Sequence, residues 1–176
     1  MIAIDDAVTR LDRAAAGFRA LLPAVEAGQP WPLHDVAHDA GPESAWGPTE
    51  VLAHVAEMLP FWLAQIERIV AAATEPVPFG RTTADPVRTE TIARDRTLPP
   101  VELIGRIEAA VARYARRLPE LGSTDLARRG LHPIRGAMTI GEIVERFVVG
   151  HAEEHVDQLR SALSASGTGP PGERAG

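Results

Sequence analysis

The chain holds 176 residues with a formal net charge of -6 and neither cysteine nor lysine, a length that fits one domain with a sizeable core. These totals exclude disulfides, thiolate ligands, a sulfur nucleophile of the chain's own and Schiff-base chemistry, and without a basic stripe the acidic balance argues against nucleic acid. No apolar run approaches the roughly 18 residues of a membrane span, and Met1–Asp6 lacks a basic, apolar leader, so a cytoplasmic protein is expected.

Four segments carry helical periodicity. In the first, Ile4 to Ala27, the residues Ile4, Val8, Leu11, Ala15, Phe18, Leu22 and Val25 form one apolar stripe, and Gly28 ends it. A proline-rich connection to Gly47 follows, expected to pack Trp31 and Trp46. The second segment starts at Pro48, a favourable first helical position, with Glu50 in its first turn. Val51, Leu52, Val55, Met58, Leu59, Trp62, Leu63, Ile66 and Ile69 give it a broad apolar face, and Pro60 interrupts it. Residues 75–99 read as a long loop or crossover with weak periodicity. The third segment, Pro100 to Leu121, turns Val101, Ile104, Ile107, Val111, Tyr114 and Leu118 inward. The fourth opens on the capping box Thr139-Ile140-Gly141-Glu142 and continues through Ile143, Val144, Phe147, Val148, Leu159 and Leu163. With no convincing strand, the reading is all-α: a four-helix bundle over residues 1–165 and a disordered Gly/Pro tail over 166–176.

Histidines give this bundle its chemistry. His151 and His155 lie four apart on the apolar stripe of the fourth segment, so both imidazoles share one helix face. His54 flanks the stripe of the second segment. A shared metal site follows if the two helices meet there, and three imidazoles would leave an open position of the kind catalytic zinc uses. His54 lies roughly 9 Å into its helix at about 1.5 Å per residue, whereas His155 lies near the far end of its own. The two share a level only if these helices are antiparallel. An up-down-down-up course achieves that, and it needs the long link between helices two and three that residues 75–99 supply.

The stretch Trp46-Gly47-Pro48-Thr49-Glu50-Val51-Leu52-Ala53-His54-Val55-Ala56-Glu57, the Leu131-His132-Pro133 step, and Thr139-Ile140-Gly141-Glu142 leading to His151-x-x-x-His155-x-x-Gln158-Leu159 resemble the DinB-like (DinB/YfiT-like) metalloenzyme superfamily. The resemblance covers nearly the whole chain except the tail. It implies an up-down-down-up bundle, a three-histidine divalent metal site at His54, His151 and His155, and a homodimer. Members with known activities are mostly transferases and isomerases that use a low-molecular-weight thiol such as bacillithiol, mycothiol or a glutathione-like compound. The mycothiol-dependent isomerase branch carries an acidic ligand where this chain has His151, which points to the general or bacillithiol-transferase-like branch. An Ala-, Gly-, Pro- and Arg-rich composition suggests a GC-rich genome, where mycothiol fits better, so the thiol stays open.

The functional expectation is a metal-dependent enzyme that transfers a small thiol to an electrophilic small molecule, or isomerises it through the thiol. Zinc is the first expectation, with nickel or iron as alternatives for imidazole ligands. A non-catalytic, stress-related metal-binding bundle is the alternative. His151-Ala152-Glu153-Glu154-His155 also matches the inverted zinc-peptidase motif H-x-x-E-H, but only Glu173 in the tail remains as a downstream carboxylate ligand. A di-iron carboxylate site is excluded, because Glu-x-x-His does not occur: Val51, Val148 and Ala152 stand three before the histidines.

Glu57, Glu154 and Asp157 are candidates for contact with a ligand's second ring nitrogen, although each fits a solvated charge better. His34, His38 and His132 are expected in loops, structural or exposed. Arg128, Arg129 and Arg135 before helix four are expected to be solvated unless an anionic substrate meets them. Trp62, Leu63 and Val149 look like spare apolar surface for a dimer. With ordinary imidazole pKa values near 6.5, metal affinity would fall below about pH 6.

Overall fold

The computed structural model describes residues 3–33 and 43–166. The expectations for His34, His38 and the tail beyond 166 fall outside them.

Four long helices carry the fold: α1 (Ile4–Ala27), α2 (Pro48–Ala71), α4 (Pro100–Arg117) and α7 (Gly150–Ser166). Between α2 and α4 lie β1 (Val77–Pro78) and α3 (Pro86–Asp95), and between α4 and α7 lie α5 (Ser123–Ala127), β2 (Arg129–His132), β3 (Gly136–Thr139) and α6 (Ile140–Ile143). Both α1 and α2 pack against α4 and against α7. Leu59 meets Tyr114, and Glu67 meets Arg117, so partners advance together along α2 and α4. By contrast, His54 meets His151 and His155 while Trp62 meets Phe147, so α2 and the last helix run in opposite senses. That is the sense the histidine placement requires.

The expected stripes form the core. Leu11, Phe18, Leu52, Met58, Leu59, Ile66, Ile104, Ile107 and Tyr114 are fully buried. The buried hydroxyl of Tyr114 donates to the carbonyl of Leu59 at 2.8 Å, which satisfies it inside the bundle. The first half of α2 is buried on every face, because Trp46 and α3 cover the side that the other long helices leave open.

Several expectations are corrected. Trp62, Leu63 and Val149 belong to the core rather than to a spare surface. Val101 is 47% exposed, at the edge of its stripe. Residues 75–99 are not an irregular loop throughout. Asp85 caps α3 by accepting the Arg88 N–H at 3.0 Å, and Pro86 occupies the first helical position. There is also a small sheet of order β1-β2-β3. β1 pairs with β2 in parallel, and β2 pairs with β3 antiparallel from Arg129↔Thr139 to His132↔Gly136. The sheet lies beside the second half of α2: Arg68 donates to the carbonyl of Pro78, and a Cβ at Gly130 would meet Ile69.

The capping box that opens α6 is present: Thr139 Oγ1 accepts from Glu142 N–H, and the Glu142 carboxylate accepts from Thr139 N–H at 2.7 Å. The helix then widens to a π turn over Val144–Val149, with Gly150 N–H bonded to the Glu145 carbonyl. A Cβ at Gly150 would lie 3.1 Å from that carbonyl, so glycine accommodates the wide turn. Such turns recur at functional sites, and this one delivers the chain directly into His151.

Candidate metal centre

α2 supplies His54 and α7 supplies His151 and His155, and the bundle brings all three together. The Nε2 atoms of His54 and His151 are 3.2 Å apart. The ring of His155 lies 4.7 Å from that of His54 and 4.5 Å from that of His151, centre to centre. Glu43, from a short 3₁₀ turn over Glu43–Ala45, joins them. One ligand atom from each of Glu43, His54, His151 and His155 lies within 4.8 Å of the others.

These residues fit a divalent ion. His155 Nδ1 lies 2.7 Å from Gln158 Oε1, an oxygen that can only accept, so Nδ1 carries the proton and Nε2 keeps its lone pair. That Nε2 is fully enclosed and has no hydrogen-bond partner, a costly arrangement unless a ligand occupies the lone pair. Two ligands of one tetrahedral zinc at about 2.0–2.1 Å stand roughly 3.3 Å apart, close to the His54–His151 spacing. The electrostatics agree. Burial above all, then the neighbouring His155 and Arg88, holds His54 well below the usual imidazole range. The same causes lower His151 to about 3. Burial lowers His155 too, partly opposed by its bond to Gln158. All three are therefore neutral at pH 7, the state in which imidazole binds metal.

A layer of polar contacts holds these groups. Gln158 donates its amide N–H to the carbonyl of Glu43 while accepting from His155, so it ties α7 to the Glu43 turn. Arg88 pairs with the Glu43 carboxylate, donates to the Thr83 carbonyl at 3.0 Å and lies over Trp46, whose ring packs edgewise on His54. None of the three acidic residues considered from the sequence does this work. Asp157 pairs with Arg160 at the surface. Glu57 pairs with Arg81. Glu154 is 79% exposed and lies 4.0 Å from His151 Nδ1, too long for a hydrogen bond.

Above the histidines opens a cavity of about 360 Å³. One wall is a stack of flat rings: Trp62 on Phe147 at 4.5 Å, then Phe147 on His132 at 5.2 Å. His132 is thus not a loop histidine. It ends β2 and is buried. Arg81, Arg88, Arg135 and Arg146 also line the space. Arg135 lies 5.6 Å from the Phe147 ring, whereas Arg128 is used up on the carbonyls of Ile69 and Ala72 and on Glu75, outside the cavity lining. Arg129 is exposed on β2, outside that lining.

Glu43, Arg88 and the position of His132 are not foreseen from the sequence, and Gln158 stands there only as part of the motif, without a role. The contact of Gln158 with His155 could have been found, since it lies three residues later on the same helix face. Glu43 and Arg88 could not, because their meeting depends on two connecting segments whose course has no periodic signature.

The model of the DinB superfamily matches residues 3–159, and the chain belongs to that superfamily. Among solved structures it is similar to YfiT from Bacillus subtilis, described as a probable metal-dependent hydrolase with an unusual four-helix bundle topology. The identity is 18%, with 95% of this chain and 91% of that one covered at a TM-score of 0.70. It is also similar to a mutant of the mycothiol-dependent maleylpyruvate isomerase, at 16% identity and a TM-score of 0.55, covering 94% of this chain but only 61% of that one. A comparison with curated proteins returned no match.

Proposed function

We propose that the protein is a metal-dependent enzyme that transfers a low-molecular-weight thiol to an electrophilic small molecule, or isomerises that molecule through the thiol, with His54, His151 and His155 as metal ligands. The observation that carries this reading is the convergence of three neutral imidazoles at a cavity large enough for small molecules. A divalent ion held there, zinc by preference for this donor set, supplies Lewis acidity that favours the thiolate over the thiol at neutral pH.

The chain's own residues set the rest. Gln158 fixes the His155 tautomer. Arg88 holds the Glu43 carboxylate beside the imidazoles, where it can accept the thiol proton. With no cysteine in the chain, the sulfur must arrive with a substrate, and the maleylpyruvate isomerase is a structural neighbour named for a thiol requirement. The proposed setting is a homodimer, by family resemblance, in the cytoplasm, as expected from the sequence.

The test is metal analysis of the purified protein, followed by conjugation of a model electrophile with mycothiol, bacillithiol or glutathione, with and without chelator. Turnover that is lost with chelator and restored by zinc supports the reading. Glu43 favours a second reading, a non-catalytic metal-binding bundle, because its carboxylate could close a four-ligand site. A saturated Glu43–His54–His151–His155 coordination sphere that no thiol enters would establish that alternative.

A further inference from the structure

Among the described residues, His132 is the one buried histidine outside the candidate metal cluster. Its Nδ1 accepts two backbone N–H groups, from Ile134 at 3.2 Å and Arg135 at 3.3 Å. A nitrogen that accepts cannot carry the proton, so the neutral ring keeps its proton on Nε2. That Nε2 has no hydrogen-bond partner among the described residues. It is not among the fully enclosed unpartnered atoms of the described residues either, and His132 lines the cavity. Space beside it is kept by Gly80: a Cβ there would come within 2.6 Å of His132 Cδ2, 3.0 Å of Nε2 and 3.6 Å of Trp62. Gly80 also has φ of +81°, which side chains rarely adopt.

Three further features lie around this donor. The faces of Trp62, Phe147 and His132 form a stack of flat rings. Arg135 and Arg146 border the same cavity and have no carboxylate partner among the described residues, unlike Arg81 and Arg88. The last residue of β2 and the short turn after it supply His132 and Arg135.

We infer that His132 is a substrate-binding residue, which presents a fixed Nε2–H to a carbonyl or carboxylate oxygen of a planar, anionic electrophile lying against the aromatic wall, with its charge toward Arg135 and Arg146. The inference rests on the proposed function for what the bound molecule undergoes, but not for its binding. A hydrogen bond from a neutral, already oriented imidazole costs no proton transfer and acts in a partly enclosed site, where it is stronger than in water.

The experiment uses cinnamate, a flat conjugated carboxylate, against zinc-loaded and chelator-stripped protein. Imidazole nitrogen NMR on the wild type should show the Nε2–H form of His132, and cinnamate should shift that nitrogen. His132→Phe keeps the flat ring and removes the donor; it should weaken cinnamate roughly tenfold or more with metal content unchanged, and His132→Gln should recover part of the loss. Cinnamyl alcohol, which lacks the charge, should bind weakly to every variant. The inference is overturned if His132 carries its proton on Nδ1, or if His132→Phe binds cinnamate as the wild type does. It is equally overturned if binding disappears on stripping the metal and ignores His132, which would put the carboxylate on the metal. None of these readouts needs thiol turnover, so failure of the thiol-transfer reading would be seen separately.

Discussion

His155 and Gln158 form a two-sided device: the imidazole Nδ1 lies 2.7 Å from the amide oxygen, and the same amide donates to the carbonyl of Glu43. One side chain thus sets the His155 tautomer and anchors the segment that carries the nearby carboxylate. Replacing Gln158 with Leu should remove both effects. Outer contacts of this kind are typically worth about 10- to 100-fold in metal affinity. Competition with a zinc chelator should show that loss for Gln158→Leu, and wild-type affinity there would remove Gln158 from the site.

Each histidine of the proposed metal site should be required. His54→Ala, His151→Ala and His155→Ala should each lower metal content sharply, because two imidazoles hold a divalent ion poorly. Far-ultraviolet circular dichroism should stay helical, since the apolar stripes rather than the histidines carry the bundle. Full occupancy in His54→Ala would break the shared-site assignment.

Leu63, which the sequence puts on the broad apolar face of its helix but also offers as spare apolar surface, is 6% exposed in the core. Leu63→Ala should therefore cost about 2–5 kcal/mol in urea denaturation and leave the sedimentation behaviour unchanged. A variant of near wild-type stability that dissociates into a smaller species would return Leu63 to an interface.

What was legible in the sequence was whatever repeats. The stripe from Val51 to Ile69 and the pair His151 and His155 are periodic, and periodicity reports helix faces directly. The convergence of His54 on that pair was also legible, because distances along a helix are fixed per residue. What repeats too briefly was lost. β2 and β3 are four residues each, too short to display alternation against the noise of a Pro- and Gly-containing hairpin. α3 buries only Arg88, Ile92 and Asp95, so its inward face is largely charged and gives no apolar signal. Its start was nevertheless written in Asp85-Pro86, an N-cap followed by a first-turn proline. Trp62 and Val149 were misassigned for a related reason: a stripe shows which face is apolar, but not how many neighbours will cover it.

The pH response should differ from that of exposed histidines. In the folded chain burial lowers all three imidazoles, His151 to about 3, whereas in the unfolded chain they titrate near 6.5. Between those values the unfolded state binds protons that the folded state does not, so stability rises with pH across the window. The contribution is full above about pH 6.5, is lost progressively as pH falls below it, and is gone once pH has passed the folded-state values. Metal-free protein should accordingly lose stability from about pH 6.5 downward, by at most about 1.4 kcal/mol per pH unit for each histidine. His151→Ala should show a shallower decline in urea denaturation at a series of pH values. The same lowered affinity for protons means less competition with metal, so zinc should remain bound at about pH 5, where histidines of ordinary pKa would already be charged. Release of zinc at about pH 6, with no difference in slope between wild type and His151→Ala, would mean that the three imidazoles are open to water and titrate normally.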